Sequence, residues 1–164
     1  MRSTAAGRTA PVRPARVLYA AAGFSLLAAL MHLWVTPEHF EEWWGYGAFF
    51  LMAALAQVLY VPLVLRWPNR RVLLLGIAGN LAILLLYLLT RTQGIPFFGP
   101  GAGEVEGVGF VDVCATASEV GIAVALGAAL LQEATPKRRR MILLFVAVGL
   151  VGVGHVVHLL VRAS

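Results

Sequence analysis

The sequence predicts an all-α integral membrane protein, folded as one bundle of five transmembrane helices. Of its 164 residues, 60% are hydrophobic and 13% charged, and the mean hydropathy is +0.82. This composition lies outside the usual balance of a soluble domain. Five nearly uncharged runs are each long enough to cross a hydrocarbon core of about 30 Å. The basic residues lie at the ends of these runs and form no single solvated face, so we expect no nucleic-acid partner.

The five runs divide the chain into one membrane domain, 17–161, with two short tails. Residues 1–16 form a basic tail and residues 162–164 form the other tail. The first run could instead belong to a signal peptide, but it exceeds the usual apolar region of about 7 to 15 residues, and no small-x-small cleavage site follows. We therefore count it as a span. The predicted spans are 17–35, 44–65, 72–90, 111–131 and 141–161.

The orientation follows from an unequal distribution of positive charge. Of the 13 Lys and Arg residues, all but Arg91 and Arg162 lie on one side of the predicted spans. The positive-inside rule makes that side cytoplasmic, so the chain begins inside and ends outside. Arg far outnumbers Lys, and Lys137 is the only lysine, a bias typical of GC-rich bacterial genomes. We therefore expect a multi-pass protein of the bacterial inner membrane, with the lipid bilayer as its main partner.

Acidic and histidine side chains are concentrated at the predicted outer end of the bundle. Asp112, Thr116 and Glu119 share a helix face by their i, i+4, i+7 spacing, and His155 and His158 share another. Together these faces predict an outward-facing polar cavity. The candidates for binding a ligand or a metal are His32, Asp112, Glu119, His155 and His158, and the candidates for the rim are Glu38, His39, Glu42, Glu104 and Glu106.

Two of these groups lie too deep to reach the interface comfortably. At 1.5 Å per residue, Glu119 lies about 12 Å and His155 about 9 Å below the outer ends of their helices. Ionisable groups there cost roughly 2.5 to 3.5 kcal/mol each, so they should face one another. We predict a Glu119–His155 contact with His32 or His158 nearby, because a short connection joins the fourth and fifth spans. A structural pair, a proton relay and a ligand set all fit this contact.

A more specific form of this prediction is that the polar groups bind a metal ion. Imidazole and carboxylate groups on separate helices suit zinc, iron or copper. The HxxH pattern at His155 and HxxE pattern at His39 place ligands on one helical face, but neither spacing is diagnostic. Haem b would need axial histidines on facing helices, and only His32 with His155 or His158 could supply them, so we do not favour it. A single cysteine, Cys114, excludes an intramolecular disulfide and a CxxC motif.

The segments that connect the first span to the second and the third span to the fourth each lead to a prediction. Thr36 and Pro37 read as the N-cap and first residue of a new helix, followed by acidic residues and then by aromatic residues of an interfacial belt. The stretch from Arg91 to Phe110 is the longest connection, and a loop of about 20 residues is often functional. It could act as a lid over the cavity or as a passive linker.

Within the spans, a few small and polar residues predict close packing of helices. Gln57 and Asn80 lie near the middle of their spans and should hydrogen-bond across helices. A small-xxx-small stripe runs along the fourth span and favours close approach of a neighbouring helix. Its members are Ala117, Gly121, Ala125 and Ala129.

One set of short motifs resembles an uncharacterised family of small bacterial multi-pass membrane proteins. The motifs are His32-Leu33, Pro37-Glu38-His39-Phe40, Glu42-Trp43-Trp44-Gly45-Tyr46-Gly47, Gly79-Asn80 and 99–106. The resemblance covers most of the chain. It implies a membrane bundle and carries no activity with it.

Two functions of different classes fit these observations. The first is a binding or cofactor protein whose outward polar site holds a metal ion or a small polar ligand. The second is a structural or assembly subunit of a larger membrane complex, whose polar groups only satisfy one another. Transport through so short a chain would need a homo-oligomer. No nucleophile–base pair or catalytic signature is recognisable. The sequence nevertheless leaves enzymatic activity open.

Overall fold

The computed structural model describes residues 15–133, which fold as four α-helices and contain no strand. Each helix is long and apolar enough to cross a membrane. The helices correspond to the first four predicted spans, each extended at one or both ends. The predicted fifth span, 141–161, lies outside the described residues, so the count of five and the orientation stay predictions. The helices are α1 (Ala15–Glu42), α2 (Trp44–Arg66), α3 (Arg70–Thr92) and α4 (Phe110–Glu133).

Apolar side chains cover much of the helix surface in the described part of the chain. A soluble protein rarely exposes many large apolar side chains together, because contact between apolar surface and water is unfavourable. In lipid the same surface is favourable. The most exposed large hydrophobic residues include Leu30, Trp34, Met52, Leu59, Leu75, Leu85 and Val124.

Small residues hold α1 and α2 together as an antiparallel hairpin. A single extended residue, Trp43, separates the two helices. Without large side chains between them, the two backbones approach closely, which is how membrane helices gain packing contacts. This stripe on α1 was not recognised from the sequence. The buried small residues on these two helices are Ala21, Ala22, Ser25, Ala28 and Ala29 on α1, with Ala53 and Ala54 on α2.

The prediction that a helix begins at Thr36 is wrong, because α1 continues through Pro37 to Glu42. Proline removes one backbone hydrogen bond from a helix interior. Two side chains bond to carbonyls on either side of this interruption. The Thr36 hydroxyl donates to the His32 carbonyl at 2.8 Å, and His39 Nδ1 lies 2.8 Å from the Val35 carbonyl. The hydroxyl that would have capped a new helix therefore bonds back into the existing one.

A buried polar network links three helices near their middles. The Ser25 hydroxyl donates to Gln57 Oε1 at 2.6 Å, and Gln57 Nε2 donates to Asn80 Oδ1 at 3.1 Å. Asn80 Nδ2 in turn donates to the Gly76 carbonyl at 2.7 Å. The predicted Gln57–Asn80 bond across helices is thus confirmed. The network fixes the rotation of α1, α2 and α3 against one another, since each amide would otherwise be unpaired.

The helices alternate in direction, which brings one set of ends together. Asn69 caps α3 by accepting from the backbone N–H groups of Arg71 and Val72, and α2 and α3 meet where the Tyr60 hydroxyl donates to the Val72 carbonyl at 3.0 Å. The C-termini of α1 and α3 and the N-termini of α2 and α4 share the opposite end. We call this end, which carries residues 93–109, the loop end.

Candidate functional site

A cavity of about 470 Å³ lies at the loop end. This volume is within the range of small-molecule sites, about 300 to 1,000 Å³. All four helices and the 93–109 connection contribute to its wall. The polar and aromatic residues of its lining include His39, Tyr46, Phe49, Phe50, Tyr87, Arg91, Phe97, Phe98, Glu104, Glu106, Asp112, Thr116 and Glu119.

The connection 93–109 folds back on itself and forms one side of the cavity. The Gly103 backbone N–H donates to the Ile95 carbonyl at 2.9 Å, and the Glu106 N–H donates to the Thr90 carbonyl at 3.1 Å. Tight turns of this kind need residues with positive φ, which glycine adopts without strain. Gly94 and Gly103 have φ values of 68° and 83°. The segment therefore has a folded backbone that is bonded to itself and to α3, and whether it acts as a lid or as a linker stays a prediction.

Tyr46 ties this connection to α2. Its hydroxyl donates to the Phe98 carbonyl at 2.9 Å, and its ring lies 5.7 Å from the Phe98 ring. Trp43 packs edge-on against both rings, with centroid distances of 5.1 and 5.0 Å. Gly99, with φ 77°, sits so close to the Tyr46 hydroxyl that a Cβ atom would collide with it. The aromatic cluster thus positions the loop over the helix ends.

A buried histidine–carboxyl hydrogen bond lies at the cavity wall. His32 Nε2 and Glu119 Oε1 are 3.0 Å apart, and the residues are only 4% and 1% exposed. Glu119 lines the cavity, whereas His32 lies behind it on α1 and does not. The hydrogen bond gives each of these two buried polar groups a partner, which each would be costly to lose.

A second ion cluster is centred on Arg91 at the end of α3. One guanidinium nitrogen, Nη2, lies 3.0 Å from Asp112 Oδ2, and the other, Nη1, bonds to Glu106. The Gly109 N–H also donates to Asp112 Oδ2 at 2.8 Å. The guanidinium lies 5.0 Å from the Tyr87 ring centroid, within cation–π range. This cluster fastens the connection and the start of α4 to α3.

The structure distributes the predicted site residues unevenly. Asp112 and Glu119 line the cavity, and so do three of the five rim candidates, His39, Glu104 and Glu106. The other two, Glu38 and Glu42, are exposed and do not line it. His155 and His158 lie outside the described residues, so the predicted Glu119–His155 contact stays a prediction. Within 15–133, no three His, Cys, Asp or Glu side chains are grouped as metal ligands.

Several residues that line the cavity were not predicted as site residues. The sequence predicts no place in the cavity for Arg91 or for Tyr46, which enters only through the family resemblance, and it does not single out Phe49 or Tyr87. The sequence did contain a signal for Arg91. An arginine on the predicted outer side is an exception to the positive-inside rule, so it needs an explanation other than topology. The aromatic residues gave no such signal, since aromatic side chains are common near the ends of membrane helices.

Aromatic rings and histidines meet at the cavity wall. The Phe50 ring lies 4.1 Å from the His39 ring and 5.9 Å from the His32 ring, centroid to centroid. Phe50 also contacts Phe49 edge-on at 5.3 Å. Phe49 and Phe50 make this part of the lining apolar. The cavity lining therefore combines aromatic side chains with carboxylates.

Comparisons with models of known protein families, with curated proteins and with solved structures give no match for this chain.

Proposed function

We propose that this protein is a polytopic protein of the bacterial inner membrane that binds a small polar ligand in an outward-facing cavity. The cavity at the loop end carries the proposal. It combines a volume of about 470 Å³ with a carboxylate, Glu119, that is 1% exposed and lies on its wall. An apolar pocket with a few convergent polar groups is the usual form of a ligand site. An ionisable group inside a membrane helix is costly, which favours a function over chance.

The proposed orientation places the loop end outside. Arg16, Arg66, Arg70 and Arg71 lie at the opposite end of the described helices, which is the cytoplasmic end by the positive-inside rule. Arg91 is the one basic residue at the loop end among residues 15–133, and two carboxylates bind it. Its positive charge is thereby offset locally.

A polar organic ligand is better supported than a metal ion. The described residues bring two, not three, metal-ligand side chains together at Glu119. A zinc, iron or copper site would need His155 or His158, which lie outside the described part. Elemental analysis and an absorption spectrum of the purified protein in detergent test the metal and haem predictions together.

The alternative proposal is a structural or assembly subunit of a larger complex. One observation favours it: each side-chain polar atom of Ser25, Gln57 and Asn80 has a hydrogen-bond partner within the protein. These groups lie in the middle of the helices, away from the cavity. This network explains how the helices pack against one another. It does not explain why a cavity with polar side chains is present at the loop end.

Cysteine accessibility tests the proposed cavity. In a Cys114→Ser background, Thr116→Cys places a thiol on the cavity wall, and Val124→Cys places one on the exposed apolar surface of the same helix. We expect a membrane-impermeant methanethiosulfonate reagent, added outside intact cells, to label position 116 and not position 124. Labelling of position 116 only after the membrane is permeabilised would contradict the outward orientation. No labelling in either case would contradict an open cavity.

A further inference from the structure

The charges around the cavity are unbalanced. Four carboxylates line it, and Arg91 is the one permanently cationic side chain among the described lining residues. Arg91 already binds two of the carboxylates, so its positive charge is largely committed. The lining therefore carries more carboxylates than permanently cationic side chains. The four carboxylates belong to Glu104, Glu106, Asp112 and Glu119.

Glu119 differs from the other carboxylates in its depth and its partners. Asp112 accepts hydrogen bonds from Arg91 and from the Gly109 N–H, and Glu106 accepts from Arg91. Glu119 is more buried than either of them, and its hydrogen bond within residues 15–133 is the one to His32. A charge-assisted bond is strongest where water is excluded. Glu119 is therefore the best-placed anchor for a cationic group.

The aromatic side chains of the lining suit the rest of such a ligand. The faces of aromatic rings carry negative electrostatic potential and attract cations, while the rings also bury apolar groups. Tyr87 already binds a cation in this way, since the Arg91 guanidinium lies 5.0 Å from its ring centroid. The aromatic rings on the lining are those of Tyr46, Phe49, Phe50, Tyr87, Phe97 and Phe98.

We infer that the ligand class of this cavity is a small organic ammonium compound with an apolar or aromatic body. The inference rests on the proposed binding function and adds the chemical class. The ammonium group donates to Glu119, and the body lies among the aromatic rings and the 93–109 connection. An anion would meet the excess carboxylates, and its only described cationic partner, Arg91, is already bound to Glu106 and Asp112.

Three probes with one phenyl body and different charge test the inference. Phenethylammonium is cationic, 2-phenylethanol is neutral and 3-phenylpropionate is anionic. Each is titrated into the purified full-length protein in detergent by calorimetry. We expect the ammonium probe to bind at least tenfold more tightly than either of the others. Equal or tighter binding of 3-phenylpropionate or 2-phenylethanol overturns the inference.

Matched variants locate the binding. We expect Glu119→Gln to weaken phenethylammonium binding tenfold or more, and Glu38→Gln, an exposed residue off the cavity, to leave it unchanged. Phe49→Leu should weaken it and Phe110→Leu should not, because Phe110 is exposed and lies off the lining. Phe49→Leu keeps the inference testable if Glu119→Gln fails to fold. Unchanged binding in a folded Glu119→Gln protein, or in Phe49→Leu, overturns it.

A rate measurement separates the ligand class from the proposed function. The labelling rate of the Thr116→Cys protein is measured with two thiol-reactive reagents, one with a trimethylammonium head and one with a sulfonate head. Each rate is divided by the rate at which the same reagent reacts with a free thiol in solution. We expect the cationic reagent to be favoured tenfold or more, as an acidic cavity concentrates cations. Labelling without cation preference overturns the ligand class and leaves an accessible cavity standing. No labelling, with no probe binding, overturns both proposals.

Discussion

At the scale of single residues, Glu119 is an acidic side chain buried in a helix that is long and apolar enough to cross a membrane. Its depth in that helix predicted a buried acid that needs an imidazole partner. The sequence predicted His155 as this partner, because the fourth and fifth spans are joined by a short connection, with His32 or His158 nearby. In the structure His32, 87 residues earlier, lies 3.0 Å from it. A helix in a bundle has several neighbours, and chain order identifies only some of them.

Breaking this pair should destabilise the protein. Glu119→Ala leaves the His32 imidazole buried without its acceptor, and the loss of one partner of a buried pair costs about 3 to 5 kcal/mol. Glu119→Gln can retain one hydrogen bond and should cost less. Thermal unfolding in detergent measures the difference, with the exposed Glu38→Ala as control. Equal stability of Glu119→Ala and the wild type would contradict the pairing.

Two neighbouring glycines of α3 should respond differently to an added methyl group. At Gly76 a Cβ atom would collide with the Tyr60 hydroxyl and meet Leu126, whereas at Gly79 nothing lies within 4 Å. Gly76→Ala must displace Tyr60 from its bond to the Val72 carbonyl, and overpacking costs about 1 to 3 kcal/mol. Gly79→Ala should be neutral or slightly stabilising. Unfolding midpoints that shift equally for both variants would refute this account.

At the scale of helices and connections, the sequence predicted the positions of the described spans within a few residues, except at the end of α1. Apolar length and flanking charge set those positions, and both are local properties. The Thr36–Pro37 signal failed because a proline can start a helix or lie inside one. Which occurs depends here on the bonds of Thr36 and His39 to carbonyls of the preceding turn. Such bonds are not visible in residue order.

The fold of the 93–109 connection depends on a residue far away in the chain, so the sequence could not decide between a lid and a linker. We expect Tyr46→Phe, which removes the hydrogen bond to the Phe98 carbonyl, to raise amide hydrogen exchange across 93–109. Tyr19→Phe is the control, because Tyr19 is 65% exposed on α1. Unchanged exchange in Tyr46→Phe would show that the glycine turns and the Arg91 cluster hold the connection without it.

At the scale of the whole molecule, composition predicted an all-helical membrane protein, and the described residues agree. The balance of apolar and charged residues determines the solvent in which a chain can fold, so it is readable without knowing any contact. The cavity was only partly predictable. Spacing placed Asp112, Thr116 and Glu119 on one face, but the aromatic wall needed the packing of α1, α2 and α3.

The topology itself is testable. Reporter fusions within the loop-end connection, after Gly107, and at Ser164 should both behave as external, because the basic residues cluster at the other side of the spans. A fusion after Asn69, between α2 and α3, should behave as cytoplasmic. An external connection together with a cytoplasmic Ser164 would show that the fifth predicted span does not cross the membrane.

Helix α1 is longer than a bilayer requires. Its 28 residues extend about 42 Å at 1.5 Å per residue, against a hydrocarbon thickness of about 30 Å. In the proposed orientation the surplus would carry His39, on the cavity wall, beyond the hydrocarbon core. Anionic headgroups create a surface potential that enriches cations within a Debye length. In a leaflet that contains anionic lipids, lipid composition as well as solute concentration would then govern how often the proposed site is filled.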